Sequence, residues 1–180
     1  MIEIFTEDIK SDFEGTIIDL ETIGNFDNRY GDSRRYKDII PAIFGFINKD
    51  GIQVLCAKNQ NSLLKLKSKI VELESSLKKP FYAFNTHFEK GVLFYYLNKE
   101  ITFERELNSE KYESKRSAVY LLKIPNYEDP FNDNGLLCSQ AWLRGDIENA
   151  ILHNRSCLLK ERDILIKRGY RKPDKLRLIG

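Results

Sequence analysis

The rhythm of apolar and polar positions changes several times along the chain, and each change predicts an element. Gly15-Thr16-Ile17-Ile18-Asp19-Leu20 is a short β-branched run of the kind that forms a buried strand. Glu21 to Asp38 turns polar, contains Gly24 and Gly31, and reads as a long loop over one end of that strand. Ile39–Ile47 and Ile52–Ala57 are both apolar and flank Asn48-Lys49-Asp50-Gly51. Asp-Gly between two such runs predicts a hairpin. Pro41, near the start of the first arm, fits a strand beginning or an edge.

Beyond the hairpin the period lengthens. Apolar residues at 63, 64, 66, 70, 73 and 77 predict a helix from Ser62 to Leu77, with lysines on its far side. Phe81–Phe84 predicts a second buried strand, and Asn85-Thr86 opens a helix running to about Leu97. Ile101–Leu107 alternates apolar and charged residues, as an edge strand does. Ser109–Leu122 is helix-like, and Ile124–Gly135 carries only turn signals. A short helix over Leu136–Arg144 and a long one over Asp146–Arg168 follow, the latter closed by Gly169. Tyr170–Gly180, rich in Lys and Arg, reads as a solvated tail. Strands first, then strand–helix alternation, then helices predict an α/β domain with a mixed sheet of about five strands, its hairpin antiparallel and its crossovers parallel.

Composition narrows the function classes. A chain of 180 residues leaves room for one domain with a single core. Its net charge is +2, so any polyanion must be met by a local basic patch. Cys56, Cys138 and Cys157 form an odd, scattered set, which excludes a disulfide framework and a paired Cys-x-x-Cys metal site. Met1–Lys10 holds three acids and predicts no signal peptide. No run approaches the roughly 18 apolar residues of a membrane span. The expectation is a cytoplasmic domain in a reducing compartment.

Three segments hold candidate chemistry. Asp19 and Glu21 are two apart in a strand, so both carboxylates leave the same face, and their repulsion is relieved by a cation between them. Oxygen ligands of that kind suit Mg²⁺ or Mn²⁺. The same spacing recurs at Asp12/Glu14 and Asp146/Glu148, but only Asp19/Glu21 ends an apolar run. The competing reading is a solvated strand end. In Asn85-Thr86-His87-Phe88-Glu89, Thr86 and Glu89 also match a capping box, and Asn85 an N-cap. His153, Cys157 and Glu161 fall at i, i+4 and i+8 on one helical face, where a lone histidine and a small buried thiol are also ordinary core residues.

In register, these segments resemble the DEDD superfamily of 3′–5′ exonucleases, in the ribonuclease H-like branch similar to the proofreading domain of family-B DNA polymerases. Thr16-Ile-Ile-Asp-Leu-Glu-Thr22 is similar to the first motif. Phe81-Tyr-Ala-Phe-Asn-Thr-His-Phe-Glu89 is similar to the second, with Glu89 where the family usually has Asp. His153-Asn-Arg-Ser-Cys157 is similar to the third, with Cys157 where an Asp is expected. Asp146 and Glu161 are acids on the same helix, each at least a turn from that place. The resemblance implies a ribonuclease H-like sheet whose first three strands are antiparallel, and metal-dependent hydrolysis of single-stranded DNA or RNA. It implies that Asp19, Glu21 and Glu89 hold Mg²⁺ or Mn²⁺ and that neutral His153 orients or deprotonates the water. Thr22, Asn85 and Asn154 would contact the substrate. Arg34 and Arg35, with Arg29 and Lys37, would track its phosphates. Because a thiol is a poor partner for Mg²⁺, the alternative is a catalytically impaired domain of the same fold that binds nucleic acid or a protein.

Overall fold

A computed structural model describes all 180 residues. Strands β1 (Ile2–Glu7), β2 (Thr16–Ile23), β3 (Ile40–Asn48) and β4 (Gly51–Ala57) precede helix α1 (Leu63–Glu74). Strand β5 (Phe81–Ala83), helix α2 (Thr86–Leu97), strand β6 (Arg105–Glu106) and helices α3 (Lys115–Leu121), α4 (Gly135–Leu143) and α5 (Ile147–Arg168) complete the chain. The strands form one mixed sheet in the order β1-β4-β3-β2-β5-β6. β2, β3 and β4 are antiparallel neighbours, whereas β5 runs parallel to both β2 and β6. This α/β arrangement fits a ribonuclease H-like fold.

The β-branched run of β2 becomes a central strand because its apolar side chains have cover. Ile17, Ile18 and Leu20 are buried, as are Pro41 to Ile47 of the adjacent β3. A strand buried without alternation needs layers on both faces. Helix α1 supplies Leu66 and Ile70 against β3 and β4, and α5 packs on β2, β3 and β4. The hairpin turn lies at Asn48–Gly51, where Gly51 has φ +158 and Asn48 Oδ1 accepts from the Asp50 and Gly51 N–H groups. A register shift between Glu21 and Thr22 brings Pro41 opposite Thr22, which lets proline enter an interior strand at an irregularity.

Four expectations change. The sheet has six strands, because Ile2–Glu7 pairs with β4 along the outer edge. Only Ile2, Phe5 and Glu7 of that strand are partly covered, so its sequence lacks a buried strand's apolar density. The predicted edge strand narrows to Arg105–Glu106, although Glu104 and Leu107 also donate backbone N–H groups to β5 carbonyls. Helix α3 starts at Lys115 rather than Ser109, since Ser114 caps it by accepting from the Ser117 N–H. The segment after Arg168 is no solvated tail. Arg171 exchanges two backbone hydrogen bonds with Glu106, Tyr95 donates to the Ile179 carbonyl, and Ser33 accepts from the Ile179 N–H. No helix is long and apolar enough to cross a membrane.

Candidate metal centre

Strand β2 aims Asp19 and Glu21 to one side, and both are buried there. The next parallel strand, β5, ends at Ala83, so the first turn of α2 carries Glu89 to the same place. Helix α5 contributes His153, Cys157 and Glu161, and α3 contributes Lys115. Asp19, Glu21, Glu89, Lys115, His153 and Cys157 line one cleft of about 370 Å³, together with Thr22 and Asn85. The strand-end reading of Asp19/Glu21 as a solvated pair therefore fails. So does the capping box. Thr86 gives both its N–H and its hydroxyl to Glu106, while Glu89 Oε2 is buried without a hydrogen-bond partner. Asn85 is the N-cap of α2 by position but makes no capping hydrogen bond, which leaves its side chain exposed at the cleft.

The electrostatics follow from confinement. Burial pushes Glu21 up to about 7, with Asp19 adding to the rise and His153 opposing it. Burial also raises Glu89, reinforced by Asp19 and Glu161. Glu161, buried and facing Asp19, is raised for the same reason, with Lys115 working against the shift. The Lys115 ammonium lies 2.9 Å from Asp19 Oδ1 and 3.0 Å from Glu161 Oε1. Burial opposes its charge, but Asp19, Cys157, Glu161 and Glu21 outweigh that and keep it protonated. Four carboxyl groups thus crowd one lysine and one histidine, and burial and mutual repulsion disfavour the ionised forms of Glu21, Glu89 and Glu161.

Several of the expected roles change. His153 Nδ1 is 2.7 Å from the buried Asp129 Oδ1, and Nε2 is 3.5 Å from Glu21 Oε1. Burial disfavours the imidazolium, but Cys157, Glu21 and Asp129 overcome it and hold the ring's pKa up to about 12. Such a ring favours its protonated form, so the neutral role expected of it requires release of that proton. Asn154 does not reach a substrate. It is buried and donates Nδ2–H to Asp19 Oδ2 at 2.9 Å and to the Asp19 carbonyl at 3.2 Å, so it fixes the carboxylate's orientation. Gly45, opposite Asp19 in β3, leaves the space for it: a Cβ there would lie 1.8 Å from Asn154 Oδ1. Asp146 lies outside the centre as the N-cap of α5, accepting from Asn149. Of the basic loop, Arg29 and Arg34 are paired at the surface with Asp27 and Asp32. Arg35 is exposed over the ring of Phe26, itself a half-exposed wall of the cleft.

Lys115, Asp129 and Lys160 escaped the sequence reading. Lys160 is fully buried and donates to Asp129 Oδ2 at 2.8 Å and to Asp133 Oδ1 at 2.7 Å, anchoring the carboxylate that orients His153. A signal for Lys160 existed: His153, Asn154, Cys157, Lys160 and Glu161 fall at i, i+1, i+4, i+7 and i+8, a polar stripe on the buried face of a helix. Lys115 and Asp129 carry no comparable pattern.

The sheet order fits a ribonuclease H-like α/β fold at the coarse level, and the converging acids make a candidate cation centre at the end of its central strand. Comparison with known protein families, curated proteins and solved structures finds no match.

Proposed function

We propose that the chain is a metal-dependent 3′–5′ exonuclease of single-stranded DNA or RNA, related to the DEDD superfamily and working with Mg²⁺ or Mn²⁺ in a cytoplasmic setting. One observation carries this reading. Asp19, Glu21, Glu89 and Glu161, from three separate elements, are buried together, and Glu89 Oε2 has no partner within the protein. Buried acceptors left open at the wall of a cleft fit a cation that supplies the missing bonds. Asp19, Glu21 and Glu89 would hold it, with Glu161 as the acid nearest the expected fourth. When bound, such ions supply a water of lowered pKa and stabilise charge at the phosphorus.

The remaining work falls to side chains. Hydrolysis joins the water oxygen to phosphorus and breaks the bond to the 3′ oxygen of the preceding nucleotide, which leaves as a hydroxyl. Asn154 holds Asp19 in one orientation, and Asp129 does the same for His153. Phe26 and Phe88, with ring centroids 6.1 Å apart at the cleft, would offer stacking faces to unpaired bases, and Arg35 over the Phe26 ring would meet a phosphate of the same strand. Thr22 and Asn85 lie along the same wall.

The test is digestion of a 3′-accessible, end-labelled oligonucleotide with Mn²⁺. Wild type shortens it stepwise and Asp19→Ala does not; unchanged activity in Asp19→Ala removes the nuclease from this centre. A second reading is favoured by Lys115, whose ammonium already bridges Asp19 and Glu161, and by Cys157 in an acid's place. On that reading the cleft binds a strand without cutting it. Intact oligonucleotide, retained with an affinity that falls steeply as salt rises, would be its signature.

A further inference from the structure

Lys115 reaches the cation centre from α3, and its ammonium fills the gap between two acids. Nζ donates to Asp19 Oδ1 at 2.9 Å and pairs with Glu161 Oε1 at 3.0 Å. One cation of the protein's own thereby ties β2 to α5. The side chain is held in place: Nζ sits over the Phe84 ring, 5.9 Å from its centroid, and only 17% of the side chain is exposed. Lys115 lines the cleft, whereas Glu161 does not and is fully buried. An ion entering from the cleft meets Asp19, Glu21 and Glu89 with the ammonium already seated, and Glu161 lies beyond it.

The acceptors that remain are enough for one ion. Asp19 has both oxygens engaged, Oδ1 by Lys115 and Oδ2 by Asn154, while Glu89 Oε2 is buried without a partner. A carboxylate oxygen accepts more than once, so Asp19 can still join Glu21 and Glu89 around a cation. Two-metal centres for phosphoryl transfer hold their ions about 3.5–4 Å apart. Here the position between Asp19 and the acid farther in is taken by a lysine, a compact point charge on a flexible stem. Charge balance agrees. Even with all four carboxyl groups ionised, Lys115 and one divalent ion leave a single uncompensated negative charge. A second divalent ion would turn that into net positive charge inside a buried centre, which is costly.

We propose that the Lys115 ammonium stands in the place of a second divalent ion, so that the centre holds a single Mg²⁺ or Mn²⁺ on Asp19, Glu21 and Glu89. Glu161 is then the anchor of the ammonium rather than a metal ligand. The lysine supplies a fixed positive charge beside Asp19, and unlike an ion it does not dissociate. This inference rests on the cation centre of the reading above, but not on that centre cutting a strand.

Mn²⁺ titration of the metal-free full-length chain tests this, with bound ions counted by equilibrium dialysis and read by electron paramagnetic resonance. Wild type should saturate at one ion per chain and show the hyperfine pattern of an isolated Mn²⁺. Lys115→Met, which keeps the side chain's length without its charge, should take up two, with the signal of a spin-coupled pair. Lys115→Arg, which keeps the charge, should stay at one. Two ions in wild type overturn the proposal with no variant needed. A single ion in folded Lys115→Met overturns it too, as does a second in Lys115→Arg. Cutting is scored separately, on a 3′-accessible oligonucleotide. One ion on wild type that digests nothing leaves the lysine's role standing and removes the nuclease. Two ions on wild type that digests does the reverse, and no bound ion removes both.

Discussion

Glu21 and Asp129 lie at either end of the His153 ring, and their pKa values are shifted in opposite directions. Glu21, pushed up to about 7, must lose its proton to hold a cation. Metal-dependent activity should therefore fall as pH drops through about 7, with Mn²⁺ affinity falling alongside it in a titration calorimeter. Asp129 is shifted down: burial opposes its charge, but hydrogen bonds from His153 and Lys160 more than offset this. Its stabilising contribution is complete above the unfolded value of about 3.9 and is lost as pH falls through the lower folded value. Asp129→Asn removes the charge facing both His153 and the fully buried Lys160. Stranding a buried ammonium costs about 3–5 kcal/mol, a loss that a denaturant midpoint at neutral pH would register. An unchanged midpoint would mean that Asp133 alone satisfies Lys160.

Between elements, the packing of β3 against α5 decides the geometry of the centre. Gly45→Ala would drive a Cβ into Asn154, whose displacement frees the Asp19 carboxylate. Overpacking of this kind costs about 1–3 kcal/mol. The variant should lose metal affinity beyond that stability loss, measurable by Mn²⁺ titration of protein that remains folded. Much of this level could be read in the chain. The β-branched Ile17-Ile18, the Asp50-Gly51 turn and the capped α5 announced the central hairpin and the long helix. The convergence of Asp19, Glu21 and Glu89 was legible as a motif order. What stayed hidden depended on contacts across large sequence separations: Lys115 meets Asp19 from 96 residues away, and no local period encodes that meeting. β1 escaped for a different reason, since an outer strand needs little apolar density to pair.

Across the whole molecule, the C-terminal segment acts as a strap. Glu106 is buried and accepts from Arg171 of that segment as well as from the N–H and hydroxyl of Thr86, which opens the helix carrying Glu89. Arg171→Ala leaves that carboxylate without its counter-charge. The cost should be about 2–3 kcal/mol, below the 3–5 typical of a fully enclosed pair because Arg171 is a quarter exposed. Chemical denaturation checks this, and a loss under about 0.5 kcal/mol, the range of ordinary surface substitutions, would show the strap to be incidental. All three thiols are buried, and burial pushes Cys56 up to about 12 and Cys157 up to about 11. An alkylating reagent in native buffer must therefore wait for the protein to open. Cys56 lies opposite Glu3 of the outermost strand and Cys157 beside the acids, so their separate labelling rates would clock peeling of the sheet's edge and breathing of its centre within one molecule.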